Sequence, residues 1–363
     1  MPPLKHIAVV HFEIQLGTSV LSLPSLCSLK KACPGIRITA FASGITLSLL
    51  KDSPYVDYVV ETPNPIKTPL RASLYALFKI WPNRKKYDAI VLNGSNSRTL
   101  IAIFAILTGI KKRVGYCVRP RLLHSCVEGK EQASVVETNN KAFSLIAPAP
   151  LEVVEPEVYF SKQDTFVFES IFANISKARP RILIVSGTSS GHPNDWYFDR
   201  FVQVAENLIH QHNAFIILAG APSDRCQAEL LKDQIGFDTV SMAGKTSPRE
   251  LAALMAHCDF CISVDTGAMH VARGVELPTV ILGNAAQPRW LWLPPPELNY
   301  FELIRKDHLA CSICWRHMCP TRECMDEISV HDVLEGFSRL KRRVLWGDRE
   351  RLKRINRLSN VTS

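Results

Sequence analysis

The residues best suited to chemistry lie in one short segment, CDFCISVDTGAMHVA, at positions 258–272. A strand-like apolar run is followed there by a turn and the start of a helix, and the residues of interest are Asp265, Thr266, Gly267, Ala268 and His270. The free amides and the dipole at a helix start attract anions, and Gly267 lets a phosphate approach the backbone. The Thr266 hydroxyl and the His270 imidazole can add hydrogen bonds. The plainer interpretation is that Asp265 or Thr266 only caps the helix.

Small-residue loops after other strands favour the anion site over the plain cap. Thr188 and Ser189 follow the strand-like run RILIV, and Gly244, Lys245 and Thr246 lie between a strand and an Ala/Leu-rich helix. The carboxyl ends of parallel strands lie at one edge of a sheet, so we expect these loops to converge there.

Four cysteines form a second group with chemical potential. Cys311, Cys314, Cys319 and Cys324 have the spacing C-x2-C-x4-C-x4-C. Four thiolates suit tetrahedral Zn or Fe, and a site with four protein ligands is structural because no position stays open. A reduced cysteine-rich loop packed under the following helix explains the pattern equally well.

The elements that must position these groups follow an α/β pattern. Short β-branched runs alternate with amphipathic segments, which is typical of parallel sheets built from βαβ units. The proline-rich stretch at 148–156 reads as a linker, after which the pattern restarts. We therefore expect two doubly wound Rossmann-like domains facing a cleft, with bounds 1–150 and 151–340, and a basic tail at 341–363.

Composition bounds the class of protein. The 363 residues are 47% hydrophobic, which excludes a mainly disordered chain, and the formal charge of +9 favours a polyanionic partner. No signal-peptide pattern opens the sequence and the longest apolar run, 100–110, is short, so we expect a cytoplasmic protein with reduced cysteines. No nucleic-acid readout motif and no G-x-G-x-x-G after the first strand of either domain occurs, which disfavours nucleic acid as a partner and a dinucleotide dehydrogenase.

The basic tail, RLKRRVLWGDRERLKRINR at 339–357, has two interpretations. It can be a solvated helix flanking the second domain, or a contact with the inner face of the cytoplasmic membrane, because basic and apolar residues alternate along it. The sequence does not decide between them.

The set of motifs resembles glycosyltransferase family 9, the bacterial heptosyltransferases. The resemblance rests on D-T-G-x-M-H-x-A, preceded by A-G-K-T-S-x-x-E-L-A-x-L and followed by P-T-V-x-L-G. It implies a GT-B fold and inverting, metal-independent transfer of a heptose-type sugar from an ADP-sugar to a lipopolysaccharide inner-core acceptor. It also implies that the second domain binds the donor, with Asp265, Thr266, Gly267, Ala268 and His270 at the pyrophosphate. Thr188 and Ser189 would face the phosphates, and Gly244, Lys245 and Thr246 would lie beside the adenosine.

The resemblance also implies acceptor contacts in the first domain, where Arg119 and Arg121 are the basic residues that we single out. No metal cofactor is expected for catalysis, and a structural Zn or Fe at the four cysteines stays open. Some relatives with such clusters glycosylate autotransporter proteins, which is an alternative acceptor class.

Two positions depart from the family pattern. A lysine is usual two residues before Trp196, where this chain has Asn194, and the usual base aspartate is replaced by Thr18. A threonine hydroxyl cannot accept the acceptor's proton, so we expect Glu13, or alternatively His11, to act as the base. If neither does, the protein is a non-catalytic relative that binds nucleotide-sugars or carbohydrates.

Overall fold

The computed structural model describes residues 4–93, 99–116, 122–127, 132–187, 194–316 and 319–359. They form two units, Met1–Glu157 and Val158–Ser363. Each unit contains one six-stranded sheet in which every neighbouring pair of strands is parallel.

The sheet of the first unit has the strand order β3-β2-β1-β4-β5-β6. Its strands are β1 (His6–His11), β2 (Arg37–Ala42), β3 (Tyr58–Glu61), β4 (Ala89–Leu92), β5 (Lys112–Tyr116) and β6 (Ser125–Val127). Its helices are α1 (Leu16–Leu21), α2 (Pro24–Ala32), α3 (Gly44–Leu50), α4 (Pro69–Tyr75), α5 (Thr99–Leu107) and α6 (Val135–Ser144). Helix α4 continues into a π-helical turn, Ala76–Ile80, and a 3-10 turn, Trp81–Lys86.

The second sheet has the order β12-β11-β10-β7-β8-β9. Its strands are β7 (Arg181–Val185), β8 (Phe215–Ala219), β9 (Thr239–Ser241), β10 (Phe260–Val264), β11 (Thr279–Leu282) and β12 (Phe301–Ile304). The helices are α7 (Glu169–Ala173), α8 (Phe198–His212), α9 (Arg225–Ile235), α10 (Pro248–Ala256), α11 (Gly267–Gly274), α12 (Arg289–Trp292), α13 (Glu323–Asp326), α14 (Val330–Arg343) and α15 (Asp348–Ser359).

Both faces of each sheet are covered. Consecutive residues of a strand point to opposite faces, yet Ile7 to Val10 in β1 and Ile182 to Val185 in β7 are all at most 1% exposed. Continuous apolar runs of this kind need helices on both sides. The doubly wound parallel architecture expected from the sequence is therefore confirmed.

The basic tail is tied into the second unit. Arg351 on α15 reaches both carboxylate oxygens of the fully buried Asp259, at 2.6 and 2.5 Å, and Arg354 donates to the Cys258 carbonyl. Asp259 also accepts hydrogen bonds from the backbone amides of Arg181 and Gly347. One face of α15 is thus part of the folded unit. Within the described residues, no helix combines the length and hydropathy needed to cross a bilayer.

Candidate functional site

The strand order of the second sheet reverses between β10 and β7, which lie side by side in parallel. In an open parallel sheet, the loops that leave two strands at such a point diverge and leave a crevice at their carboxyl ends. Asp265 follows β10 and Ser186 and Gly187 follow β7, so the chemically interesting segment from the sequence lies at this position.

The start of α11 carries two polar atoms without a hydrogen-bond partner in the described residues, Thr266 Oγ1 and His270 Nδ1. Thr266 occupies the N-cap position with an extended backbone, but its side chain makes no capping bond. The plain-cap interpretation of Thr266 therefore does not hold. Buried polar atoms in native proteins are nearly always paired, so these two fit hydrogen bonds to a bound molecule.

His270 is neutral in this environment. It is buried, and this burial together with the charge of Arg273 lowers the pKa of the imidazole to about 3. At neutral pH the ring therefore offers one N–H donor and one acceptor and carries no charge. It can hydrogen-bond to a phosphate oxygen without becoming an ion-pair partner.

The pKa of Asp265 is shifted in the opposite direction to that of His270. Burial raises the pKa of its carboxyl to about 6, and the Arg305 guanidinium opposes this shift. A carboxyl that is easily protonated repels a diphosphate less than an ordinary aspartate does. Ala268, in the first turn of α11, is partly buried beside this segment.

Asn194 joins three strand ends. Its Nδ2 donates to the backbone carbonyl of Asp265 at 2.6 Å, and its Oδ1 accepts from the side chain of Asn284, which follows β11. The Asn284 Oδ1 in turn accepts from the Ala286 amide at 2.9 Å. The residue that replaces the lysine expected in the family is therefore buried and holds the Asp265 turn in place through its amide.

The loops after β7, β8 and β9 meet around one carboxylate. A Cβ on Gly187 would come within 2.8 Å of the Asp224 side chain, and a Cβ on Gly220 would do the same. Gly244 has a φ of +67° and donates to the Gly220 carbonyl at 2.9 Å. Glycine is required at these three positions by close approach or by backbone conformation.

Lys245 and Arg289 are cations of neighbouring loops that could take the place of the lysine that Asn194 replaces, but both are paired. Lys245 Nζ donates to the Ser241 carbonyl at 2.8 Å and contacts Glu229 at 3.3 Å. Arg289 Nε pairs with Asp307 at 2.9 Å. Thr246, next to the capping box that starts α10, is partly exposed.

Two arginines that sequence reasoning missed lie beside Asp265. A small cavity of about 40 Å³ is lined by Asn194, Asp265, Asn284, Ala286, Gln287, Pro288, Trp292, Leu293, Arg305 and Arg316. Arg305 is almost fully buried, donates to the Gln287 carbonyl at 2.6 Å and pairs with Asp307. No local motif marks either residue, because both approach the site from loops after β12.

The four cysteines line a second cavity of about 220 Å³. Asn284, Ala286 and Arg316 line both cavities, so the two adjoin. The backbone amides of Arg322 and Thr321 lower the pKa of the Cys319 thiol. Over the described ranges, however, no three Cys, His, Asp or Glu side chains are placed close enough to hold a metal ion.

In the first unit, His11 and Glu13 are both buried at the carboxyl end of β1. Burial lowers the pKa of His11 to about 4, and its Nε2 hydrogen-bonds with the Ser22 hydroxyl. The Thr18 hydroxyl donates to the Gln15 carbonyl at 3.0 Å within the first turn of α1. Thr188, Ser189, Arg119 and Arg121 lie outside the described residues.

Comparison with known proteins adds independent findings. A family model described as glycosyltransferase family 9 (heptosyltransferase) matches residues 82–322. Lipooligosaccharide heptosyltransferase 2 of Campylobacter jejuni is 28% identical over 339 residues, which is 91% of this chain and 98% of that protein.

Two solved structures share the fold over nearly their whole length. The glycosyl transferase family 9 structure from Veillonella parvula has a TM-score of 0.78 at 16% identity, covering 93% of this chain and 97% of that one. The ADP-heptose lipopolysaccharide heptosyltransferase II of Escherichia coli has a TM-score of 0.71 at 21% identity, with coverage of 92% and 98%. The GT-B fold expected from the sequence is confirmed by these matches.

Proposed function

Because the chain belongs to glycosyltransferase family 9, we propose that it transfers a heptose-type sugar from an ADP-sugar to a lipopolysaccharide inner-core acceptor. In this proposal the transfer is inverting and metal-independent. One observation carries it: the start of α11, at the point where the strand order reverses, presents two polar atoms, Thr266 Oγ1 and His270 Nδ1, that no described residue hydrogen-bonds.

The donor diphosphate binds at this turn. The first amides of α11 around Gly267 and Ala268 supply donors and the positive end of the helix dipole, while Thr266 and His270 supply side-chain hydrogen bonds. Asn194 holds the turn through the Asp265 carbonyl. The proposal assigns hydrogen bonds to the phosphates to Thr188 and Ser189, and contacts with the adenosine to Gly244, Lys245 and Thr246.

Transfer is a single displacement. The base takes the proton from the acceptor hydroxyl, the oxygen forms a bond to the anomeric carbon, and the bond from that carbon to the β-phosphate oxygen breaks. The electron pair leaves with ADP, whose new negative charge is stabilised by donors already directed at the phosphate. Glu13 is the base, with His11 as the alternative, and Arg119 and Arg121 bind acidic groups of the acceptor.

The four cysteines hold a structural Zn or Fe in this proposal. Their thiols line one cavity, and the donors to Cys319 favour its thiolate, which suits such an ion. The thiols are too far apart in this structure to coordinate one metal ion. Binding therefore requires the four thiols to move closer together. Metal analysis of the purified protein tests this, and a metal content below about one tenth per chain contradicts it.

The proposed location is cytoplasmic, with peripheral association at the inner face of the cytoplasmic membrane, where a lipid-linked acceptor would be met. Nucleic acid is not among the proposed partners.

Release of ADP from ADP-heptose in the presence of a heptose-deficient lipopolysaccharide acceptor tests the function. We expect turnover with this pair and none with UDP- or GDP-sugars. An autotransporter peptide in place of the glycolipid tests the other acceptor class. Binding of ADP-heptose without turnover on any acceptor would favour a non-catalytic relative, for which the replacement of the usual aspartate by Thr18 is the supporting observation.

A further inference from the structure

An exposed apolar face runs along the segment that joins β3 to β4. Its side chains are Leu70, Leu74, Leu77, Phe78 and Trp81, of which Leu70 is 74% exposed and Phe78 71% exposed. The spacing of four, seven, eight and eleven residues from Leu70 puts them on one side of a helix. The opposite side, formed by Ala72, Ala76 and Ile80, is buried in the core of the first unit. The helix is therefore apolar on both sides, but only the side with Ala72, Ala76 and Ile80 packs against the core of the first unit.

Helix α5 extends this face. It packs beside α4 and the π-helical turn, and it exposes Leu100, Ile103 and Ile106 at helical spacing. Trp81 and Arg84 lie against Gly109, just beyond the end of α5, where a Cβ would come within 2.4 Å of the indole ring. We call the two stripes together the α4–α5 face. Exposed apolar side chains gathered on neighbouring elements in this way are typical of an interaction site.

The charge on the segment of the α4–α5 face between Glu61 and Asp88 has one sign. Residues 62–87 contain six cations, Lys67, Arg71, Lys79, Arg84, Lys85 and Lys86, and no aspartate or glutamate. All six are exposed or partly exposed, and no ion pair found among the described residues involves them. Lys111 adds another cation beside the start of β5, which neighbours β4.

The basic tail differs in this respect. Its Arg339 and Arg343 pair with Glu302, Arg351 with Asp259, Lys353 with Glu350 and Arg357 with Glu276. Five of the nine cations at 339–357 thus have a carboxylate partner among the described residues. The sequence left the tail open as either a solvated helix or a membrane contact, whereas cations without an ion-pair partner in the described residues and exposed apolar side chains coincide on the α4–α5 face.

We propose that the α4–α5 face docks on an anionic lipid bilayer, with the leucines, Phe78 and Trp81 inserted at the level of the headgroups. A bilayer surface offers an apolar interior beneath negative headgroups, which complements an apolar stripe flanked by lysine and arginine alone. A protein partner would need an apolar groove with an acidic rim of matching shape. The inference rests on the proposed function in one respect only: a lipid-linked acceptor explains why the enzyme contacts a membrane.

Vesicle co-sedimentation tests this proposal with the full chain. We expect binding to vesicles of phosphatidylglycerol and phosphatidylethanolamine, and weak binding to phosphatidylcholine alone. The double variant Leu70→Ser/Phe78→Ser should lower the partition coefficient about tenfold or more, because two exposed apolar side chains no longer insert. The double variant Lys79→Gln/Lys86→Gln should lower it roughly fivefold for each cation removed.

The matched control is Leu230→Ser/Phe237→Ser, which makes the same two changes at exposed positions of the second unit. It should bind vesicles like the unaltered protein. Equal binding by the control and the α4–α5 variant would overturn the proposal. So would a loss of dimer in light scattering for the α4–α5 variant alone, with no change in vesicle binding, because the face would then join two copies of the chain.

A second pair of measurements separates this inference from the proposed function. The Leu70→Ser/Phe78→Ser variant should keep its transfer rate on a deacylated, water-soluble acceptor and lose it on the same acceptor embedded in vesicles. Equal losses on both acceptors would overturn the docking role. If the protein transfers no sugar to any acceptor, vesicle binding still tests the face, since those vesicles contain no acceptor.

Discussion

The side-chain amide of Asn194 donates a hydrogen bond to the backbone carbonyl of Asp265 across 2.6 Å. The two residues are 71 positions apart in the chain. This bond links the end of the loop after β7 to the turn that starts α11. The geometry of the turn at the start of α11 therefore depends on a residue that the family pattern alone would class as a missing cation.

Replacing Asn194 with alanine should weaken donor binding. The change removes the bonds to Asp265 and Asn284 and leaves a buried carbonyl unpaired, a cost of about 1–3 kcal/mol. We expect the Kd for ADP-ribose, measured by calorimetry, to rise by about fivefold or more. Asn207→Ala removes a similar amide from the exposed side of α8 and should leave the Kd unchanged; equal effects in the two variants would contradict the role of Asn194.

The Thr266 hydroxyl should matter to ligand binding and not to folding. Because no described residue hydrogen-bonds to it, Thr266→Val should leave the free energy of unfolding unchanged or slightly raised, while ADP affinity falls about tenfold. Thr108 is the matched control, since its hydroxyl donates to the Ala105 carbonyl at 2.7 Å. Thr108→Val should lower stability by about 1 kcal/mol and leave ADP affinity intact. The reverse pattern would exclude Thr266 from the site.

The raised pKa of Asp265, about 6, predicts a pH dependence of donor binding. The carboxyl is protonated below that pH and ionised above it, and the ionised form repels a diphosphate. The Kd for ADP-ribose, whose pyrophosphate does not titrate in this range, should therefore rise as the pH passes upward through about 6. Asp265→Asn should bind with the same Kd on both sides of this pH, and a persisting pH dependence would assign it to another group.

The same shift predicts a change in stability. The carboxyl of the unfolded chain ionises near pH 4, below the folded pKa, so rising pH stabilises the unfolded state first. The unaltered protein should lose stability relative to Asp265→Asn between about pH 4 and 6 and lose no more above that range. Urea denaturation at several pH values measures the difference.

Glu13→Gln should abolish sugar transfer and leave ADP-sugar binding intact, because the amide cannot accept the acceptor's proton. Adding Thr18→Asp should restore part of the rate by supplying a carboxylate where the family usually has one. Full activity of the single variant would exclude Glu13 as the base, and His11→Gln would then test the alternative.

The buried pair of Asp259 and Arg351 should contribute strongly to stability. Asp259→Ala leaves the buried Arg351 guanidinium with only the more exposed Asp348 as a counter-ion, so we expect a loss of about 3–5 kcal/mol in urea denaturation. Glu276→Ala breaks a partly exposed pair with Arg357 on the same helix and should cost less than about 1 kcal/mol. Similar losses in both variants would show that α15 is held by other contacts.

The sequence predicted the features that depend on local patterns. Short β-branched runs separated by amphipathic segments identified most of the strands. The Asp265–His270 turn was recognised because a strand, a small-residue turn and a helix follow one another directly. The edge strands β6 and β12 were missed, since they are three and four residues long and only partly buried. The bond from Asn194 and the positions of Arg305 and Arg316 were missed because they arise when distant loops meet at one sheet edge. The local periodicity of the sequence does not indicate which distant loops lie next to one another.

The contact between Arg351 and Asp259 also constrains when the second unit can finish folding during protein synthesis. Asp259, which directly precedes β10, is synthesised 92 residues before its counter-ion Arg351, so a nascent second unit holds a carboxylate that it cannot bury at low cost. The first unit can reach its final form on the ribosome, whereas the second cannot be completed until α15 arrives. Chains that stall or are cleaved ahead of residue 351 should therefore be recognised by chaperones and proteases as incomplete.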